Sequence, residues 1–269
     1  MPRIALGVEY DGTEFAGWQS QANARSVQST LETAVSAVAD APVTLHAAGR
    51  TDAGVHAAGQ VAHFDCDAVR GADQWLLGIN SNLPDDVAVR SVVEVGADFD
   101  ARRSAVWRRY VYLIQLGRSR SALARRYAWW VREALDSEAM RAAAAAWIGE
   151  HDFSAFRAAG CQSTTPMRCL HSLDVRHDGE WLAVDVRANA FLYHMVRNLV
   201  GTLVEIGRRR RPVTWAAQLL AGRERASAGA TAPACGLTLA EVRYPRTHAI
   251  PGPAAAPWFG YHAQSLVDV

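Results

Sequence analysis

Val43-Thr44-Leu45-His46-Ala47-Ala48-Gly49-Arg50-Thr51-Asp52-Ala53-Gly54-Val55-His56-Ala57-Ala58-Gly59-Gln60-Val61-Ala62-His63-Phe64-Asp65 reads as two strands, Val43 to Ala48 and Gln60 to Asp65, separated by a glycine-flanked loop. Upstream, Ile4 to Tyr10 is a strand that ends at the turn Asp11-Gly12. Ser26 is placed to cap a helix in which Val27, Leu31, Ala34, Val35 and Val38 share one face, and Pro42 stops it. Downstream, Ala72 to Asn80 is helical, and Leu83-Pro84-Asp85-Asp86 turns into a strand from Val87 to Val95. The order is β-α-β-β-α-β.

The order then recurs. Val106 to Leu116 alternates bulky residues as a strand, and Ser137 to Ile148 is an Ala-rich helix. Leu170 to Arg176 and Trp181 to Arg187 form a hairpin across Asp178-Gly179. Leu192 to Ile206 is a helix with an almost unbroken apolar stripe, a short helix follows Thr214, and Leu237 to Tyr244 is the closing strand. Two such halves predict an α+β protein with a largely antiparallel sheet and helices on one face. The expected division is 1–100, 101–246 and an Ala/Pro-rich tail, 247–269. This is also the topology of a common RNA-recognition module, although a fold by itself names no function.

The chain has 269 residues and is 50% hydrophobic, enough for a large core. Net charge is +1, with no lysine: all 28 basic residues are arginine. They cluster at Arg102-Arg103, Arg108-Arg109, Arg125-Arg126 and Arg208 to Arg211. Arginine's planar fork suits phosphate, and a compositional bias toward Arg reads equally well. Cys66, Cys161, Cys169 and Cys235 form no C-x-x-C pair, and Cys161, Cys169 and His171 match no zinc spacing. The N-terminus lacks a signal-peptide progression and no apolar run reaches the length of a membrane span. A soluble, cytoplasmic protein is expected.

Three features carry candidate chemistry. Asp52 sits beside Arg50 in a loop between strands, where functional side chains tend to lie; a turn aspartate bonding its own backbone has the same spacing. Arg197 lies off the apolar stripe of its helix, on a face with His194, Asn198 and Gly201, and Gly201 admits a close neighbour; a solvated face fits the same pattern. Tyr110, flanked by Arg108 and Arg109, shares a strand face with Tyr112 and is placed to stack a nucleobase or to pack in the core.

Taken together these motifs resemble the tRNA pseudouridine synthase A family over about Ile4 to Tyr244. The resemblance rests on Glu9-Tyr10-Asp11-Gly12-Thr13 with Gly17-Trp18-Gln19, on Arg50-Thr51-Asp52-Ala53-Gly54-Val55-His56, and on Asn80-Ser81-Asn82-Leu83-Pro84. Arg108-Arg109-Tyr110, His151-Asp152-Phe153, Tyr193-His194-Met195-Val196-Arg197-Asn198 and Gly236-Leu237-Thr238-Leu239 follow in order. The resemblance implies a pseudouridine synthase fold with the active cleft between the halves. It implies an isomerase acting on uridines 38, 39 and 40 of the tRNA anticodon stem-loop, working as a homodimer without metal or organic cofactor. Arg208 to Arg211 and the tail depart from the family pattern.

That chemistry breaks the N1–C1′ bond of uridine, turns the base and joins C5 to C1′. A carboxylate starts it by attacking C1′ or by removing the C2′ proton. Asp52 is the expected nucleophile and Arg197 its ion-pair partner. The base must first leave its stack, at a cost of a few kcal/mol, and an aromatic platform returns about 1–3 kcal/mol. Tyr110 is the expected platform, with a hydroxyl placed to help remove the C5 proton. Arg50, Arg109 and His194 are expected to hold substrate. Competing readings are a tRNA-binding chaperone on the same fold, and a nucleoside hydrolase pairing Asp52 with a second carboxylate at Asp11, Asp65 or Asp152.

Overall fold

In the computed structural model, which describes residues 1–253, the Ser26 hydroxyl accepts the Ser29 N–H at 3.2 Å and starts α1 (Val27–Ala39). Asp40, in the left-handed region at φ 55°, ends it two residues before Pro42. The first half supplies β1 (Arg3–Tyr10), α1, β2 (His46–Ala47), β3 (His56–Asp65), α2 (Ala72–Ser81) and β4 (Val87–Val95). The second supplies β5 (Trp107–Leu116), β6 (Trp129–Val131), α3 (Ser137–Ala144), β7 (Gly149–Asp152), β8 (Met167–Asp178), β9 (Trp181–Ala188), α4 (Met195–Gly207), α5 (Trp215–Gly222) and β10 (Leu237–Arg243). The largely antiparallel α+β arrangement is as expected.

All strands join one sheet in the order β4-β1-β3-β10-β5-β9-β8-β7, with β2 on β3 and β6 on β5. Only β10–β3 and β5–β6 are parallel among these pairs. The closing strand β10 is the seam of the molecule. It pairs Thr238 with His56 and Leu239 with Ala57 on one side, and Leu239 with Tyr110 on the other.

Several boundaries differ from the sequence expectation. The strand expected over Val43 to Ala48 shrinks to two residues, because side chains of α1 take its donors. Ser36 Oγ accepts the Val43 N–H and Glu32 Oε1 accepts the Leu45 N–H, both at 2.9 Å. β3 begins at His56 instead of Gln60, since β10 extends the ladder to that end. The Ala-rich helix ends at Ala144 in a 3-10 turn, and Gly149, at φ 103°, leads into the unexpected strand β7. α4 begins at Met195, after a turn in which the Met195 N–H meets the Leu192 carbonyl at 3.0 Å.

The helices fall into two groups on one face. Trp75 of α2, fully buried, meets Phe64 of β3 edge to face at 5.4 Å. In the second half Tyr112, Ile114, Val184, Val186, Leu173 and Val175 turn the same face of the sheet into the core. β3, β10 and β5 lie between the groups, and β5 carries Tyr110. The polar face expected on α4 is not solvated: Asn198, Gly201 and Thr202 are buried like the apolar stripe.

Trp75→Ala removes the largest side chain joining α2 to the sheet and is expected to lower unfolding free energy by about 3–5 kcal/mol. Urea denaturation checks this; a loss under about 1 kcal/mol would show that α2 is held by other contacts.

Candidate active site

The loop carrying Asp52 is held by four parts of the chain. Its own strand supplies Gln60 Nε2, which donates to the Gly49 carbonyl at 2.7 Å. β1 supplies Tyr10, whose buried hydroxyl meets Thr51 Oγ1 at 2.7 Å. The loop after β1 supplies the Trp18 N–H, which donates to the Thr51 carbonyl at 3.0 Å. Gly17, at φ 101°, makes this approach possible; a Cβ there would stand 2.7 Å from the Thr51 oxygen. Arg108 reaches across from β5 and donates to the Ala48 carbonyl at 2.9 Å.

Into this loop α4 delivers a cation. Arg197 Nη1 donates to Asp52 Oδ2 at 3.1 Å, and the two side chains are 15% and 18% exposed. Arg197 is aimed by a second bond, from its Nε to the Ala232 carbonyl at 2.8 Å. His194 stands 3.4 Å from the same carboxylate oxygen through Nε2. It caps α4 in the left-handed region, at φ 59° and ψ 7°. That backbone state is uncommon for a residue with a Cβ, costs about 1–3 kcal/mol, and clusters at functional sites. Burial pushes the His194 imidazole below its ordinary value; Asp52 opposes this, and Arg197 and Arg225 add to it. The imidazole is therefore neutral at pH 7.

Tyr110 lies beside this pair, with its ring edge-on to Phe191 at 5.1 Å. Burial pushes its phenol well up, assisted by Tyr10 and the Asp52 charge. Its hydroxyl makes no hydrogen bond to another described residue and stays protonated at neutral pH. Arg50 is exposed at the rim, where Nη1 donates to Gln162 Oε1 of the other half at 2.7 Å. Arg109 is not brought to Asp52. Strand alternation turns it to the opposite face, where it forms a two-pronged pair with Asp185 of β9 at 2.8 and 2.5 Å.

The other carboxylates are engaged elsewhere. Asp65 pairs with Arg3 at the far end of β3 and Asp152 with Arg223. Asp11 accepts from Thr13 and Tyr127. The run Arg208 to Arg210 is bound to Glu133, Glu205 and Asp136, and Arg211 stacks over Trp215. The sequence reading missed Thr51, Tyr10 and Ala232 as holders of the site; the only signal for them is that Tyr10 and Thr51 lie in the family motifs.

A family model described as tRNA pseudouridine synthase matches residues 7–102 and 143–245. The chain belongs to the tRNA pseudouridine synthase family. Similar proteins include one named tRNA pseudouridine synthase A from Shewanella amazonensis, 51% identical over 257 residues, covering 96% of this chain and 98% of that one. A protein of the same name from Actinobacillus pleuropneumoniae serotype 7 is 50% identical over the same coverage. This chain is an isomerase that converts uridine to pseudouridine in tRNA, on a pseudouridine synthase fold. Among the described residues no helix is long and apolar enough to cross a membrane.

Two buried histidines at opposite ends of β3, His56 near the site and His63 far from it, link stability to pH. The Gly12 N–H donates to His56 Nδ1 at 3.0 Å, so the proton is on Nε2, which donates to the Arg126 carbonyl at 2.8 Å. His63 Nδ1 likewise accepts the Ala101 N–H at 3.1 Å. Burial pushes both below their ordinary value, with Asp11 opposing at His56 and Arg3 adding at His63. Their contribution is complete above the unfolded value of about 6.5 and is lost as pH falls toward the lower folded values. Denaturant midpoints are expected to fall between pH 7.5 and 5.5; a midpoint that is level or rises on acidification would contradict this.

Proposed function

We propose that Asp52 is the nucleophile of the isomerisation, that Arg197 holds it in place, and that Tyr110 is the platform for the flipped base. The observation that carries this reading is the Arg197–Asp52 contact at 3.1 Å, close enough to Tyr110 for the Asp52 charge to act on its phenol. Asp52 acts by attack on C1′ or by taking the C2′ proton, and either route needs its carboxylate ionised and aimed. A guanidinium on a helix supplies both needs. The protonated Tyr110 phenol serves as platform and hydrogen-bond donor, which favours these roles over removal of the C5 proton. His194 is the candidate to contact the flipped nucleotide next to Asp52, and Arg50 the candidate to hold a phosphate at the rim. Arg109, bound to Asp185 on the far face, is better read as a brace of the β5–β9 pair than as a substrate contact.

Resemblance to the family supports the finer reading: uridines 38, 39 and 40 of the anticodon stem-loop as targets, a cytoplasmic homodimer as the working form, and a division into halves at residues 1–100 and 101–246. The tail over residues 247–269 lies mostly outside the described residues.

The test is release of tritium from tRNA labelled at uridine C5. Wild type is expected to release it and Asp52→Asn to release none, with tRNA affinity kept in both. Normal release by Asp52→Asn would remove Asp52 from the chemistry. Arg197→Ala leaves the carboxylate without its partner, about 3 kcal/mol, and is expected to lower kcat about 100-fold or more with KM changed far less. Near-normal turnover in that variant would sink the ion-pair role. Tyr110→Phe keeps the ring and loses one hydrogen bond, so kcat is expected to stay within about tenfold of wild type. A loss beyond about 100-fold would assign the hydroxyl a proton-transfer role instead.

A further inference from the structure

Arg197 is aimed by a carbonyl that belongs to neither α4 nor the Asp52 loop. That carbonyl is on Ala232, in a segment that crosses α4 in contact with it. The Ala232 N–H returns a bond to the Arg197 carbonyl at 3.1 Å, so the segment and the helix are doubly tied at this residue. One turn on, the crossing is so close that a Cβ on Gly201 would stand 1.8 Å from the Ala230 oxygen. The glycine that the sequence marked as admitting a close neighbour admits this backbone.

The segment is fastened by Arg225. Its Nη1 donates to the Gly229 carbonyl at 3.0 Å, and its Nη2 donates to Asn198 Oδ1 at 2.9 Å and Thr231 Oγ1 at 3.0 Å. Asn198, fully buried on α4, is the hub. Its Oδ1 also accepts the Thr231 hydroxyl at 2.7 Å, and its Nδ2 donates to the Phe156 carbonyl at 2.8 Å. Among the described residues no carboxylate lies within ion-pair distance of Arg225, so its charge is spread over neutral oxygens.

We propose that Arg225 is a positioning residue for the isomerisation: it ties the Gly229–Ala232 strap across α4, so that Ala232 aims Arg197 at Asp52. This rests on the reading of Asp52 and Arg197 as the reacting pair. The uncompensated guanidinium also acts through space. The charged groups that face His194 are Asp52, Arg197 and Arg225; Asp52 favours its protonation and the two arginines oppose it. Arg225 adds to the burial that keeps His194 neutral, and Asp52 keeps Arg197 as its cation. Without Arg225, both the aim of Arg197 and the charge balance at His194 change together. The lost charge is read in the His194 titration and the lost strap in kcat, and Arg225→Lys, which keeps the charge, separates the two.

The test uses the full chain with Arg225→Met and Thr231→Val. Tritium release gives kcat and KM, and NMR of the imidazole proton signals in the free protein gives the His194 titration. Arg225→Met is expected to lower kcat about tenfold or more, to leave KM within about twofold, and to move the His194 titration upward. Thr231→Val removes one bond and keeps the charge, so a smaller kcat loss with an unmoved titration is expected. Wild-type kcat in Arg225→Met overturns the proposal. So does a rise in KM with kcat unchanged, which would make Arg225 a tRNA contact. If Arg225→Met does not fold, Arg225→Lys keeps the charge and shortens the reach: reduced kcat with His194 unmoved is expected, and wild-type kcat overturns the proposal. Failure of wild type to release tritium would instead reject the assigned reaction, since the titration is read without tRNA.

Discussion

Asp52 and Arg197 are 145 residues apart in the chain and 3.1 Å apart in space. Both partners of that contact are held by many other parts of the chain. Asp52 is carried by a loop that would be mobile if free, because its glycines permit many backbone states. It is fixed by donors from β1, β3, β5 and the loop after β1. Arg197 is carried by the first turn of a helix buried on nearly all sides. A half-buried ion pair is a poor source of net stability, because desolvation offsets the Coulomb gain. Its geometry must therefore be imposed by the surrounding packing and hydrogen bonds. The number of backbone carbonyls and amides recruited for that purpose is the physical reason the site is so thoroughly braced.

The sheet makes the two carriers one body. Had the second half closed its own sheet, Asp52 and Arg197 would sit on separate units joined by a connection free to hinge. Instead β10 leaves the second half and inserts between β3 and β5. The start of β3, which anchors the Asp52 loop, is hydrogen-bonded directly to the strand beside Tyr110. The sheet that joins the two carriers is thus continuous backbone. An enzyme that must pull a base out of a stack needs a receiving pocket whose shape is already set, since each loosened contact on the protein side would add to the cost of unstacking.

The electrostatics follow the same logic. Burial holds His56, His63 and His194 in the uncharged state, and each has a stated partner for its ring nitrogen or a cation opposing its protonation. Tyr110 stays a phenol for the same reason. Arg197 and Asp52 thus sit among neutral titratable rings, with the Arg108 and Arg225 guanidiniums bound to neutral oxygens around them.

The sequence by itself determined the β-α-β-β-α-β order of the first half, the capping of α1 at Ser26 and the two hairpin strands of the second half, and it marked Asp52, Arg197 and Tyr110 as candidates; β6 and β7 it did not show. The features it showed are local matters: periodicity, turn chemistry and motif spacing leave their mark within a few residues. It also marked Gly201 as a place of close approach without saying what approaches. Tertiary structure alone decided the rest. The seat of β10 depends on pairing partners far away in the chain, and so does the early start of β3. The fate of Arg109 was decided by which face of β5 turned toward the cleft. The burial of Asn198 was decided by a strap whose residues, Gly229 to Ala232, have no periodic pattern to read. The short β2 was decided by two side chains of α1 competing for its donors. Each is an outcome of competition between groups brought together only by folding, and spacing along the chain carries no record of who their neighbours will be.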